Sequence, residues 1–415
     1  MHDFDFLNGE MYCEGVPLRR IAEDVGTPVY VYSRSTLRNH FRRLDEAFSS
    51  LPHSICYSIK ANSNLAVIST LAQEGAGADI VSGGELYRAL RAGMAAERIV
   101  FAGIGKTEEE MAYALRSGIL MFNVESPTEL ATLDRVAGEL GLRAKIALRV
   151  NPGIDAETHP YIATGLKETK FGIRIEEALS VYERAASLPN VDVVGVHQHI
   201  GSQITQVEPF RESLAILAEL VRVLQSNGFG IEYVNIGGGF GIPYQQEEVP
   251  YPRDYAQAFE SILKESGCTV ILEVGRMIVG NAGVLLTQVL YQKSTGDKDF
   301  LVVDAAMNDL IRPSLYGSFH EIIPVKKTER EYETVDIVGP VCESGDFLAR
   351  GRALPHTEPG ELLAVMSAGA YGFTMSSNYN SRRRVAEILV DGDRFGVVRE
   401  RETYEDLLRG ERTWD

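Results

Sequence analysis

An alternation in the chain constrains its fold most. Eight short runs rich in β-branched and apolar residues are separated by helical-looking stretches of about 10–30 residues, the mark of repeated strand–helix units. The runs are ICYSIKA (55–61), GADIVS (77–82), IVFAG (99–103), LMFNVES (120–126), KIALRVNP (145–152), VVGVHQHIG (193–201), YVNIGGG (233–239) and TVILEVGR (269–276). Eight such units predict an α/β chain built on a closed (β/α)8 TIM-like barrel. An open doubly wound sheet also holds eight strands, so the count alone leaves that alternative standing. Helix starts are legible in between. Thr107 caps Glu108 to Leu115, Ser126 precedes a proline at the first helical position, and Pro209 to Gln225 carries Leu, Ile and Val at helical spacing.

After Arg276 the texture changes. NAGVLLTQVLYQK, DFLVVDAA, ETVDIVGPV, ELLAVMSAGAYG and AEILVDGDRFGVV read as strands joined by Gly- and Asp-rich turns. They predict a C-terminal, mostly antiparallel β domain. PVYVYS (28–33) precedes the barrel count and is expected to return to that domain. The expected division is an N-terminal segment 1–34 joining the β domain, a barrel over 35–277, and the β domain over 278–415.

Charge narrows the partners. Forty-one basic against 58 acidic residues leave −17, which repels phosphate-rich surfaces and argues against a broad nucleic-acid or membrane face. No apolar run is long enough to cross a bilayer as a helix. Cys13, Cys56, Cys268 and Cys342 share no CxxC spacing, and the acidic N-terminus lacks the basic and apolar regions of a signal peptide. Reduced thiols and a cytoplasmic location are expected.

The strand ends carry the chemistry. In barrels of this kind, reactive groups gather where strands end. Lys60 ends the first run, and His197 and His199 end the sixth, with Gly201 and Ser202 beyond. Gly237, Gly238 and Gly239 end the seventh, while Glu273, Gly275 and Arg276 end the eighth. A lysine in the apolar context YSIKAN is either snorkelling or a desolvated amine able to form a Schiff base. Three glycines make a tight turn, or let backbone N–H groups approach an oxyanion, with the Ser202 hydroxyl adding a donor. Glu273 and Arg276 make an ion pair, or Glu273 holds a protonated pyridine nitrogen. His197-x-His199 has the spacing of a metal pair, but no other strand end offers a histidine, and a closed site needs three or four ligands; no metal is expected. One histidine is expected to stack on a flat ring and the other to pack in the barrel. Two nucleotide motifs are absent. Ile242 stands where GxGxxG needs its third glycine, and Val100 where the P-loop GIGKT (103–107) needs its first. A lysine, a phosphate cradle, a ring-stacking histidine and a pyridinium partner are what pyridoxal phosphate requires.

With those residues in place, the chain resembles the diaminopimelate decarboxylase family, pyridoxal-phosphate enzymes of the barrel-plus-β-domain type shared with ornithine and arginine decarboxylases and, more distantly, alanine racemase. YSIKAN, GLKETKFGI, HIGSQI, IGGGFGIPY, MNDLIRPSLYG, GPVCESGDFLA and GAYGFTMSSNYNSR carry the resemblance. It implies decarboxylation of meso-diaminopimelate at its D-centre to L-lysine and CO2, the last step of lysine biosynthesis, in a homodimer with shared active sites. It implies that Lys60 carries pyridoxal 5'-phosphate, His199 stacks on its ring and Glu273 pairs with its nitrogen. Ser202, Gly237, Gly238, Gly239, Gly275, Arg276 and Tyr371 surround the cofactor. Arg276, Arg312 and Tyr316 bind substrate carboxylates, with Tyr371 near the substrate as well, and Glu343 takes the distal ammonium. Cys342 and Glu343 come from the partner subunit, and Cys342 or Lys60 is the proton donor. Two departures stand out: Val274 where the family usually has proline, and Arg383 where proline is more usual. A same-fold decarboxylase of another amino acid, a racemase and a non-catalytic homologue are the rival readings.

Overall fold

The computed structural model describes residues 2–155, 159, 165, 170–245 and 247–414. Four of the nine residues of GLKETKFGI, 166–169, lie outside the described residues. The chain divides into two compact units, one of residues 40–242 and 248–277, the other of residues 1–39, 243–247 and 278–415.

The first unit is a closed barrel of eight parallel strands. These are β1 (His53–Ser58), β2 (Gly77–Ile80), β3 (Ile99–Phe101), β4 (Met121–Val124), β5 (Ala144–Asn151), β6 (Val191–His197), β7 (Tyr233–Asn235) and β8 (Thr269–Val274). Each pairs with the next, and β8 closes on β1 with Glu273 opposite Cys56. The closed ring removes the open-sheet alternative. β2, β3 and β4 are buried at every residue, as strands covered on both faces must be. The helices between them start where their caps predict. Thr107 and Glu110 form a reciprocal capping box at Glu108–Ser117, and the Ser126 side chain accepts from Glu129 N–H at Pro127–Leu140. Both helices end on a left-handed glycine, Gly118 and Gly141.

The second unit is a mixed, mostly antiparallel sheet. Its long strand, Gly283–Ser294, pairs antiparallel with Val29–Ser33, Asp299–Val303 and Leu362–Val365. Val29–Ser33 also runs parallel to Ala386–Asp391, so the N-terminal segment does return to the β unit. The inward residues Val29, Val31, Val284, Leu286, Ala386 and Ile388 share one apolar cluster. Each buried aliphatic side chain there contributes about 1.5–3 kcal/mol. That long-range cluster ties residue 29 to residue 388.

Candidate active site at the barrel strand ends

The β1 strand stops at Ser58, and a short turn, Ile59–Ala61, carries Lys60 just past its end. The Lys60 ammonium donates to Asp79 Oδ2 at 2.7 Å, and the Ser58 hydroxyl lies 2.7 Å from the same oxygen and 2.9 Å from the Glu273 carbonyl oxygen. Three strands are thus tied together around one amine. Asp79 is fully buried, and burial, reinforced by the Glu273 charge, raises its carboxyl above the usual range against the pull of Lys60.

The glycine bend after β7 is built for backbone approach. Gly237 and Gly239 have φ of +71° and +106°, torsions that favour glycine. A Cβ on Gly238 would meet the Glu273 carbonyl oxygen at 1.9 Å, and one on Gly239 would meet the Gly201 oxygen at 2.4 Å. Gly275 is constrained likewise, since its Cβ would lie 2.9 Å from that of Ala61. The Ser202 hydroxyl accepts from Arg276 Nη2 at 3.1 Å, which places the loop after β6 beside the end of β8.

The two histidines separate, one inside the barrel and one beyond its strand end. β6 ends at His197, which is fully buried inside the barrel, while His199 lies in the loop beyond. There His199 Nδ1 accepts from Gly238 N–H at 3.1 Å. Its carbonyl accepts from Arg149, which is itself paired with buried Glu125 at 2.7 Å. Burial, with the Arg149 and Lys60 charges adding to it, holds the His199 imidazole well below its ordinary pKa. A neutral ring is what stacking on a flat cofactor calls for.

Burial alone would raise the Glu273 carboxyl. The His197 contact at 3.2 Å outweighs that, helped by the Lys60 charge, and holds it well below the usual carboxylate range. Amides of Asn123 and Asn235 also donate to it, at 2.8 and 2.7 Å. Val274 is the last residue of β8, paired opposite Tyr57.

Asp79, Asn123, Asn235 and the buried Lys106–Glu129 pair were not legible as site residues. A lone polar residue in GADI, MFNV or YVN carries no sequence signal, because its partner sits on another strand. Lys106 lies in the loop before the helix Glu108–Ser117, with its side chain buried against Glu129 at 2.7 Å.

The remaining expected residues belong to the β unit. Arg312 and Tyr316 stand one turn apart on the helix Arg312–Tyr316. The Arg312 guanidinium is buried, bonds His320 at 2.8 Å and stacks over Tyr244 at 4.7 Å. Cys342 and Glu343 are both exposed. Cys342 N–H donates to Asn380 Oδ1 at 2.8 Å, and the Tyr379 hydroxyl donates to Glu343 at 2.7 Å. Tyr371 takes a left-handed φ of +55°.

These side chains fit pyridoxal phosphate. A partly exposed lysine, a glycine bend with no room for side chains, a neutral histidine and an ionised buried carboxylate are the groups its aldehyde, phosphate and ring require. Residues 34–280 match the family model for the pyridoxal binding domain of pyridoxal-dependent decarboxylases. The chain is 54% identical to the diaminopimelate decarboxylase of Pseudomonas fluorescens, over 99% of both chains. It is 51% identical to that of Aquifex aeolicus, over 97% of this chain and 96% of that one. Among solved structures, diaminopimelate decarboxylase from M. jannaschii in complex with L-lysine superposes with a TM-score of 0.95 at 39% identity, covering 100% of this chain and 99% of that one. The Helicobacter pylori enzyme complexed with L-lysine gives 0.92 at 44% identity, over 94% and 98%. Likeness at this identity over the full length leaves one assignment: the chain belongs to the diaminopimelate decarboxylase family of pyridoxal-dependent decarboxylases.

Proposed function

We propose that this protein removes the carboxylate at the D-centre of meso-diaminopimelate to give L-lysine and CO2. The observation that carries the reading is the ionised Glu273 set close to Lys60 and the glycine bend at the barrel's strand ends. Pyridoxal phosphate, when bound, supplies the electron sink for the carbanion that CO2 leaves behind. Lys60 would hold the cofactor through its side-chain nitrogen. Asp79 orients the Lys60 amine and is itself held by the Ser58 hydroxyl. Glu273 keeps the ring nitrogen charged, and His199 lies against the ring. Ser202 and the Gly239 N–H, which the Gly237–Gly238 turn presents, hold the phosphate, with Gly275, Arg276 and the Tyr371 hydroxyl beside it. Each hydrogen bond to a charged group contributes roughly 1.5–3 kcal/mol, so a few suffice without a basic cluster.

Substrate choice follows from charge matching. Meso-diaminopimelate carries an amino-acid group at each end. Arg312, assisted by Tyr316, grips the distal carboxylate, Glu343 accepts from the distal ammonium, and Arg276 with Tyr371 faces the reacting end. Ornithine has no distal carboxylate for Arg312 to bind and forgoes that charge-assisted pair. Arg312→Ala is expected to lower kcat/KM on diaminopimelate by about 100-fold while leaving the absorbance of the bound cofactor unchanged. Equal loss of cofactor absorbance would move Arg312 from substrate binding to structure.

The exposed positions of Cys342 and Glu343 support a homodimer in which each serves the partner's site, with Cys342 or Lys60 returning a proton to the substrate Cα. The prediction is complementation. Mixing Lys60→Ala with Glu343→Ala protein should restore about a quarter of wild-type activity, since half the dimers are mixed and each holds one intact site. Activity no higher than the more active parent would rule out shared sites.

A further inference from the structure

One interior layer of the barrel is polar where such layers are dominated by Val, Ile and Leu. Asp79 on β2, Asn123 on β4, His197 on β6 and Glu273 on β8 come from alternate strands, as the members of one layer do, and all four are buried. Asn235 on β7, the neighbour of β8, adds a further amide.

The donors on Glu273 are divided unevenly. Oε1 accepts from both Asn123 Nδ2 and Asn235 Nδ2, which uses its two lone pairs. Among the described residues Oε2 meets only His197 Nε2, at 3.2 Å, and keeps one lone pair. His197 Nδ1 is buried without a partner among the described residues. A buried orphan N–H is the rarer fault, so the imidazole is best placed with its proton on Nε2, donating to the carboxylate. Three donors then surround Glu273. Asn123 is pinned in turn: the Lys106 ammonium donates to its carbonyl at 2.9 Å and pairs with Glu129 at 2.7 Å.

We propose that Asn123, Asn235 and His197 are positioning residues that hold Glu273 as a carboxylate and leave one lone pair of Oε2 for the protonated ring nitrogen of the cofactor. The proposal rests on the reading of Glu273 as the partner of that nitrogen. Removing a donor takes away part of what keeps the carboxylate charged in a dry site next to Asp79, and frees it to rotate.

The test loads the dimeric holoenzyme with pyridoxal phosphate labelled with 15N in the ring and reads the nitrogen chemical shift together with the cofactor dissociation constant. Asn123→Leu and His197→Phe, near-isosteres without the donor, should move the resonance towards the unprotonated position and weaken cofactor binding by about tenfold or more. His197→Gln keeps a donor and should restore both. Glu273→Gln is the control and should move the resonance further. If it does while folded Asn123→Leu and His197→Phe leave the resonance at its wild-type position, the positioning role is overturned and the reading of Glu273 stands. If Glu273→Gln leaves the resonance unmoved, that reading falls as well. Should Asn123→Leu fail to fold by circular dichroism, Asn235→Ser carries the same comparison with the same two outcomes.

Discussion

Replacing Lys60 with alanine is expected to lower turnover of meso-diaminopimelate by on the order of 10³-fold or more and to abolish the absorbance of lysine-linked cofactor, while the fold survives. The chemical part is direct, since no other lysine is placed in the Asp79–Ser58–Glu273 cluster among the described residues. The survival of the fold is the less obvious half. Removing one member of a buried ion pair ordinarily costs about 3–5 kcal/mol because a charge is stranded. Here the stranded group would be Asp79, whose carboxyl burial already biases towards holding a proton. Lys60 itself is 37% exposed, and the Ser58 hydroxyl remains 2.7 Å from Asp79. Asp79 therefore takes up a proton rather than remaining an unpaired anion. A melting temperature within a few degrees of wild type, with cofactor held only non-covalently, is the expected result. A variant that keeps the lysine-linked absorbance would transfer the covalent role to another amine.

The second large effect comes from a residue with no side chain. Gly238→Ala is expected to destabilise the protein by about 3 kcal/mol and to weaken cofactor binding at least tenfold. The added Cβ would lie 1.9 Å from the Glu273 carbonyl oxygen and 3.0 Å from its carbon. Both are main-chain atoms of β8, so no rotamer change relieves the clash. Either the glycine bend or the strand end carrying Glu273 must move, and the phosphate loop and the ring-nitrogen partner are disturbed together. Gly230→Ala is the matched control. Nothing lies within 4 Å of its Cβ, and its stability should change by no more than about 0.5 kcal/mol. Thermal unfolding of both variants, with and without cofactor, separates the two terms. Equal behaviour of the two would show that the bend has room the structure does not give it.

The barrel was legible because its signal is local and repeated. Fully buried parallel strands read as apolar runs, and the caps at Thr107 and Ser126 mark helix starts without reference to anything distant. Lys60 and Glu273 stood out for the same reason, each being a charge inside or at the end of an apolar run. The polar layer did not. Asn123 and Asn235 lie 150 and 38 residues from Glu273 in sequence and meet it only because the barrel closes. The HxH spacing did not say where the two histidines part, which is where β6 stops at His197. Past that point the period-two rule no longer holds, and His199 is placed by Gly238 and Arg149 instead. Arg383, where proline was expected, places its guanidinium 4.8 Å from the Tyr404 ring, a contact that only the folded chain brings together.

The account is tested most directly by incubating the cofactor-loaded protein with meso-diaminopimelate and counting products. L-Lysine and CO2 in equal amounts, with ornithine left untouched under the same conditions, is the predicted result. Release of CO2 from ornithine at a comparable rate, or racemised diaminopimelate without CO2, would contradict it.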